Sequence, residues 1–187
     1  PHSLGEGKLA GIQENDIHYL TGMALRGLGR EDEARGMFER ASDGLAEPSS
    51  PMFYNDQPPE MIYFQGLALT ALGRAGEASE RFERLIDYGR THLDDEVKID
   101  YFAVSLPDFL IFDPDLDARN RAHCRLMIAF GSLGLDRTAE AADQIGQVLA
   151  IDPSNQWAAT LSDAASSTGT DSSPHPITRN AEPIRTA

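Results

Sequence analysis

Residues 22–41 read GMALRGLGREDEARGMFERA, and residues 66–85 read GLALTALGRAGEASERFERL. Gly22, Leu28-Gly29, Ala34, Phe38 and Ala41 in the first stretch fall at the same spacings as Gly66, Leu72-Gly73, Ala78, Phe82 and Leu85 in the second. Small and large apolar residues recur at helical intervals on either side of a Leu-Gly break. Each stretch therefore predicts two helices joined by a tight turn. Such a unit cannot bury its apolar face alone, and stacked units bury it against their neighbours. The repeat predicts an all-α fold, a right-handed α-α superhelix of about three units.

Working outward, the first helix is expected to start at Asn15 or Asp16, either of which can accept hydrogen bonds from free helix N–H groups. Its second helix is expected from about Arg30 to Asp43, so the first unit covers 15–44. Residues 1–14 carry three glycines and read as a linker from a missing upstream domain. Residues 44–59 hold four prolines and break the helical pattern, although Met52-Phe53-Tyr54 suggests a segment that packs down. The second unit is expected over 59–90, with Pro59 suited to a first helical turn. An insertion over 91–115 fits no repeat; irregular structure with one short helix ending before Pro107 is expected there.

The third unit, 116–152, is degenerate. Leu126, Met127, Phe130 and Leu133 are core candidates of its first helix, and Ala141, Ile145 and Val148 of its second. About three extra residues are expected in its turn, and Pro153 ends it. Residues 154–165, with Trp157 and Leu161, read as a capping helix over the last open face. The solenoid is thus expected over 15–165, followed by a flexible tail over 166–187.

With 30 acidic and 16 basic residues and a net charge of −14, the chain lacks the basic stripe that a phosphate backbone or an anionic membrane attracts. No apolar run approaches the ~20 residues of a membrane span, and no signal-peptide pattern stands at the start. The chain opens at Pro1 rather than Met and so reads as a fragment or processed product. Its single cysteine, Cys124, excludes an internal disulfide and agrees with a reducing, cytoplasmic compartment.

The Gly–Gly–Ala–Phe spacing of the first two units, with Asp152-Pro153 ending the third, resembles that of tetratricopeptide repeats. Three further strings narrow the resemblance: NDIHYLTGMALRGLG; Tyr54-Asn55-Asp56-Gln57-Pro58-Pro59; and IDYFAVSLPDFLIFD followed by Arg119-Asn120 and His123-Cys124. Together they are similar to the C-terminal part of large bacterial proteins of unknown function, in which a β-sandwich like that of galactose mutarotases precedes the repeats. The resemblance implies a carbohydrate-related domain upstream of Pro1 and brings no activity of its own.

Tetratricopeptide arrays bind along the concave face lined by the first helix of each unit. Alignment on Gly22 and Gly66 places Tyr19, Met23 and Arg26 there from the first unit and Tyr63, Leu67 and Thr70 from the second. The third unit would add Cys124, Ile128 and Ser132. The alternative is that half of these side chains simply pack between helices. The Asn55-Asp56-Gln57 loop, held between prolines, suits hydrogen bonding to sugar hydroxyls, unless it is an ordinary turn bonded to its own backbone. Asp100, Tyr101, Ser105 and Asp108 stand beside bulky apolar residues, where carboxylates acquire raised pKa values or, more commonly, cap helices.

Asp113, Asp115 and Asp117 alternate as in a calcium loop, but the glycine and closing glutamate of an EF-hand are missing. Scattered histidines make no metal site, no catalytic signature is present, and no cofactor is expected. Cys124, among apolar helix residues, reads as a buried inert thiol. The expected role is a non-catalytic interaction or scaffolding module that binds a protein, a peptide or the upstream domain. The alternatives are an accessory domain completing a sugar site with Asn55, Asp56, Gln57, Asp100, Tyr101 and Asp108, and a homo-oligomerisation module.

Overall fold

The computed structural model describes residues 13–51, 57–97 and 115–166, with side chains described to residue 162. Its helices are α1 (Asn15–Gly27), α2 (Glu31–Ser42), α3 (Met61–Ala71), α4 (Ala75–His92), α5 (Leu116–Gly134), α6 (Thr138–Ile151) and α7 (Gln156–Ser166). No strand occurs among the described residues. Each helix packs on the next in sequence, except where α7 ends the series, and the arrangement is compatible with a superhelix of helix pairs. Residues 1–12 of the expected linker over 1–14, the Met52-Phe53-Tyr54 cluster, the short helix before Pro107 and residues 167–187 of the expected tail lie outside the described residues, while Ser166, expected in the tail, ends α7.

The helix pairs obey one steric rule. A Cβ added at Gly22 would stand 2.6 Å from Cε1 of Phe38, and one at Gly66 would enter the Phe82 ring. A large ring on the second helix therefore requires a bare backbone on the first. In the third pair the same register falls on Ala129 and Ile145, both buried. A smaller partner there leaves room for a methyl group.

Contrary to expectation, the third turn carries no extra residues. Residues 28–30, 72–74 and 135–137 connect the paired helices at one length. The backbone bonds repeat as well: Arg30 N–H to Leu25 carbonyl at 3.0 Å, Arg74 to Leu69 at 2.9 Å, and Arg137 to Ser132 at 2.8 Å. Gly29 and Gly73 adopt φ of 73° and 79°, and Asp136 takes the same left-handed place at 57°. Aspartate is among the few non-glycine residues that tolerate it. The apparent expansion came from a missing glycine rather than from inserted chain.

An Arg-x-x-Glu-Ala string opens all three second helices. Arg30 pairs with Glu33 at 2.6 Å and Arg74 with Glu77 at 2.5 Å, both exposed and each worth little. In the third pair Arg137 instead reaches Glu83 at 2.5 Å, and Glu140 accepts from Arg90 at 2.6 Å, so the motif clips α6 to α4.

Helix α3 is the centre of the molecule, buried continuously from Met61 to Leu69. An aromatic chain runs through it: Tyr19 meets Phe38 and Phe64, and Tyr63 lies 4.8 Å from Phe130. Trp157 of α7 reaches back to Phe64 at 5.8 Å and Phe130 at 5.5 Å. The last helix thus packs on α6 and also seals the inner face of the stack. Helices α4 and α5 approach most closely, because Gly89 faces the Cys124 carbonyl and Gly131 the Phe82 carbonyl.

Polar side chains fasten the helix ends. The expected capping role of Asn15 is not observed: α1 starts after Glu14 without a side-chain cap. Asn15 is buried and donates from Nδ2 to the carbonyls of Ala41 (2.9 Å) and Asp43 (2.7 Å), closing the far end of α2. Asn120 likewise donates to the His92 carbonyl at the end of α4.

Candidate functional site

The inner groove expected from the repeat is filled. Tyr19, Tyr63 and Leu67 are buried in the core, and Met23 packs against it. Arg26 stacks 4.5 Å above the Phe38 ring and donates to the Ala71 carbonyl at 3.0 Å, closing α3 rather than facing a ligand. Thr70 is exposed, but its hydroxyl bonds back to the Gly66 carbonyl. Cys124, Ile128 and Ser132 are buried too. Their alignment inherits the misplaced third turn: the register mates of Tyr19, Met23 and Arg26 are Leu126, Phe130 and Leu133. Burial pushes the Cys124 thiol up to about 12, as suits an inert sulfur.

Gln57 is also structural. Its Nε2 donates to the Leu45 carbonyl at 2.6 Å and its Oε1 accepts from the Leu45 N–H at 2.7 Å. Gln65 Nε2 donates to Asp43 and Leu45 carbonyls from the other side, so two glutamines pin the loop after α2. Asn55, Asp56, Asp100, Tyr101 and Asp108 lie outside the described residues.

A cleft of about 870 Å³ opens elsewhere, where the start of α3, one face of α5 and the α6–α7 turn meet. That volume lies in the range of sites for small molecules and peptide side chains, roughly 300–1,000 Å³. Pro51, Pro58 and Pro59 form a stiff rim. Ala118, Arg119, Ala122, His123 and Leu126 line it from α5, at spacings that bring them onto one helical face. The two alanines leave the space open. Ile151, Asp152 and Asn155 complete the wall.

Its acids are held in place by local structure. Asp115 accepts from the Ala118 N–H at 2.7 Å and caps α5. Asp152 accepts from Ser154 N–H and hydroxyl at 3.0 and 2.7 Å, and those bonds hold its carboxyl below the usual range. Asn155 caps α7 by accepting from Ala158 N–H. Glu60 is largely buried at the foot of α3; burial raises its pKa, while Trp157 Nε1 donates to it at 3.3 Å and works the other way.

His123 is the most perturbed group of the cleft. Its ring packs edge-on against Tyr88 at 5.9 Å and is bonded to the Ser49 backbone. Nε2 is buried with no partner among the described residues. Burial, assisted by the nearby Arg119 charge, lowers its pKa to about 4. A depressed histidine is neutral in the folded protein where the unfolded chain already binds a proton. It is therefore neutral for stability above pH 6.5 and destabilises the fold as pH falls towards 4, by at most about 1.4 kcal/mol per pH unit. Denaturant unfolding at several pH values should show that slope, and His123→Leu should lack it. An unchanged slope in the variant would assign the acid sensitivity to other groups.

Sequence reading missed Glu60 and the floor of the cleft, since its walls come from three separated segments. Arg119 and His123 stood inside a string of the family resemblance, with no geometric signal of their own. Among the described residues no group of three or more His, Cys, Asp or Glu side chains is placed to hold a metal ion, and no helix is long and apolar enough to cross a membrane. Fold and cleft define the chain as an all-α stack of helix pairs with an acidic, proline-rimmed cleft. No protein-family model matches the chain, and no solved structure matches it.

Proposed function

We propose that the chain is a non-catalytic interaction module that receives an extended, basic segment of a protein partner in the cleft. The reading rests on one observation. Side chains of the stack itself fill the inner groove, while a cleft of about 870 Å³ stays open beside it. Glu60, Asp115 and Asp152 outnumber Arg119 on its walls, in a chain of net charge −14, so the field favours a cationic occupant. The acids are already engaged in caps and turns, which suits recognition more than proton transfer. The segment would come from a partner in trans or from the upstream domain implied by the narrower resemblance to large bacterial proteins. A sugar-binding role is weakened by Gln57, whose amide is held by backbone.

The test is selection of displayed random peptides against the whole chain, followed by anisotropy titration of the binders. Selected peptides should be rich in Lys and Arg, and Ala118→Trp, which fills the cleft floor, should weaken them about tenfold without lowering the melting temperature. Binders indifferent to Ala118→Trp would remove the cleft from the function.

A further inference from the structure

The outer face of α1 leaves Ile17 52%, Leu20 42% and Leu28 72% exposed. With Ala24, these residues form a stripe one side of the helix wide. The same register in α3 holds Met61, Phe64, Ala68 and Leu72, and in α5 Cys124, Met127, Gly131 and Leu135. There Phe64 is 1% exposed, and Cys124 and Met127 are at 0%. Helix α4 seats directly on the α5 copy of the stripe: Gly89 meets the Cys124 carbonyl, and Gly131 meets the Phe82 carbonyl and Ile86. The α3 copy is covered differently, with Phe64 against Tyr19 of α1 and Trp157 of α7. One face is thus presented three times and covered twice.

Charge sets the third pair apart. Arg137 and Glu140 of the third pair reach Glu83 and Arg90 on the preceding second helix. In the first two pairs the mates form ion pairs with each other, Arg30 with Glu33 and Arg74 with Glu77, and are exposed.

We propose that the α1 stripe is a docking surface for one more amphipathic helix of the α4 kind, supplied in trans by a protein partner. That helix would set Phe82-, Ile86- and Gly89-like residues against Ile17, Leu20, Ala24 and Leu28. It would bring a glutamate and an arginine, in the places of Glu83 and Arg90, to Arg30 and Glu33. The surface has the register of the α5 face that α4 already occupies, and its flanking charges complement the same helix type.

A helix-stapled peptide with the sequence of residues 75–92 is the probe, titrated into isotopically labelled full chain. Expected are amide shifts centred on α1 and on Arg30 and Glu33, with weakening of about tenfold by Leu20→Glu. Leu20 is exposed, so that variant should keep its helical circular dichroism. Exchanging Arg30 and Glu33 for the opposite charges should weaken the peptide, and a peptide with Glu83 and Arg90 exchanged should restore it. Shifts that fall on α5 instead, or none at about 1 mM peptide, would overturn the proposal. So would self-association that Leu20→Glu abolishes, which would make a second copy the occupant. Binding only by a chain starting at Gln13 would give the face to residues 1–12. Ala118→Trp should leave peptide binding unchanged, which separates this surface from the cleft.

Discussion

Phe82→Ala is expected to lower the unfolding free energy by about 4 kcal/mol, near the upper end for a buried phenylalanine. Its ring is 2% exposed and stands 6.0 Å from that of Tyr63. Two helices gave up their side chains to admit it, since a Cβ at Gly66 or at Gly134 would strike it. Gly66 and Gly134 have no side chains to swing into the space, so the cavity is expected to stay large. Denaturant titration checks this, with a melting point lower by about 10 °C as the thermal counterpart. A cost below about 2 kcal/mol would mean that α3, α4 and α5 close up, and that the glycines are not tied to this ring.

Gly131→Ala is expected to destabilise by about 3 kcal/mol, although alanine is the better helix former by about 1 kcal/mol. The added methyl would meet the Phe82 carbonyl oxygen, which belongs to backbone and cannot rotate away. Helices α4 and α5 would have to separate along their shared length. Gly146→Ala in α6 is the control, since a Cβ there meets nothing within 4 Å. It should stabilise by up to about 1 kcal/mol through propensity alone. The same substitution in two helices thus carries opposite signs, and equal effects would refute the close backbone approach.

The first two helix pairs were legible because they keep the residues that geometry demands most strictly: glycine opposite phenylalanine and glycine in the left-handed turn. In the third pair both signals disappear at once. Ala129 suffices opposite Ile145, and Asp136 holds the turn, so a glycine-based alignment slips and places Cys124, Ile128 and Ser132 wrongly. Arg137-x-x-Glu140-Ala141, matching Arg30-x-x-Glu33-Ala34 and Arg74-x-x-Glu77-Ala78, carried the correct register.

The groove was misread for a different reason. Tyr19, Tyr63 and Leu67 stand at positions that face inward in any such stack, but sequence does not say whether a later helix fills the hollow. Trp157 does so through contacts far apart in the chain. The cleft was invisible for the same cause: its walls follow from where α5 and the α6–α7 turn come to lie beside Pro58 and Pro59.

The unequal seating of the helix pairs has a consequence for how the molecule comes apart. In a chain of nearest-neighbour contacts, opening spreads from the end with the weakest join. Helices α1 and α2 are 13 and 12 residues long, and α1 has one face uncovered. Helices α4 and α5, at 18 and 19 residues, meet backbone to backbone. The first pair is therefore expected to open before the α4–α5 join inside the stack. Hydrogen exchange should show backbone amides of the first pair opening at lower free energy than those of α4 and α5.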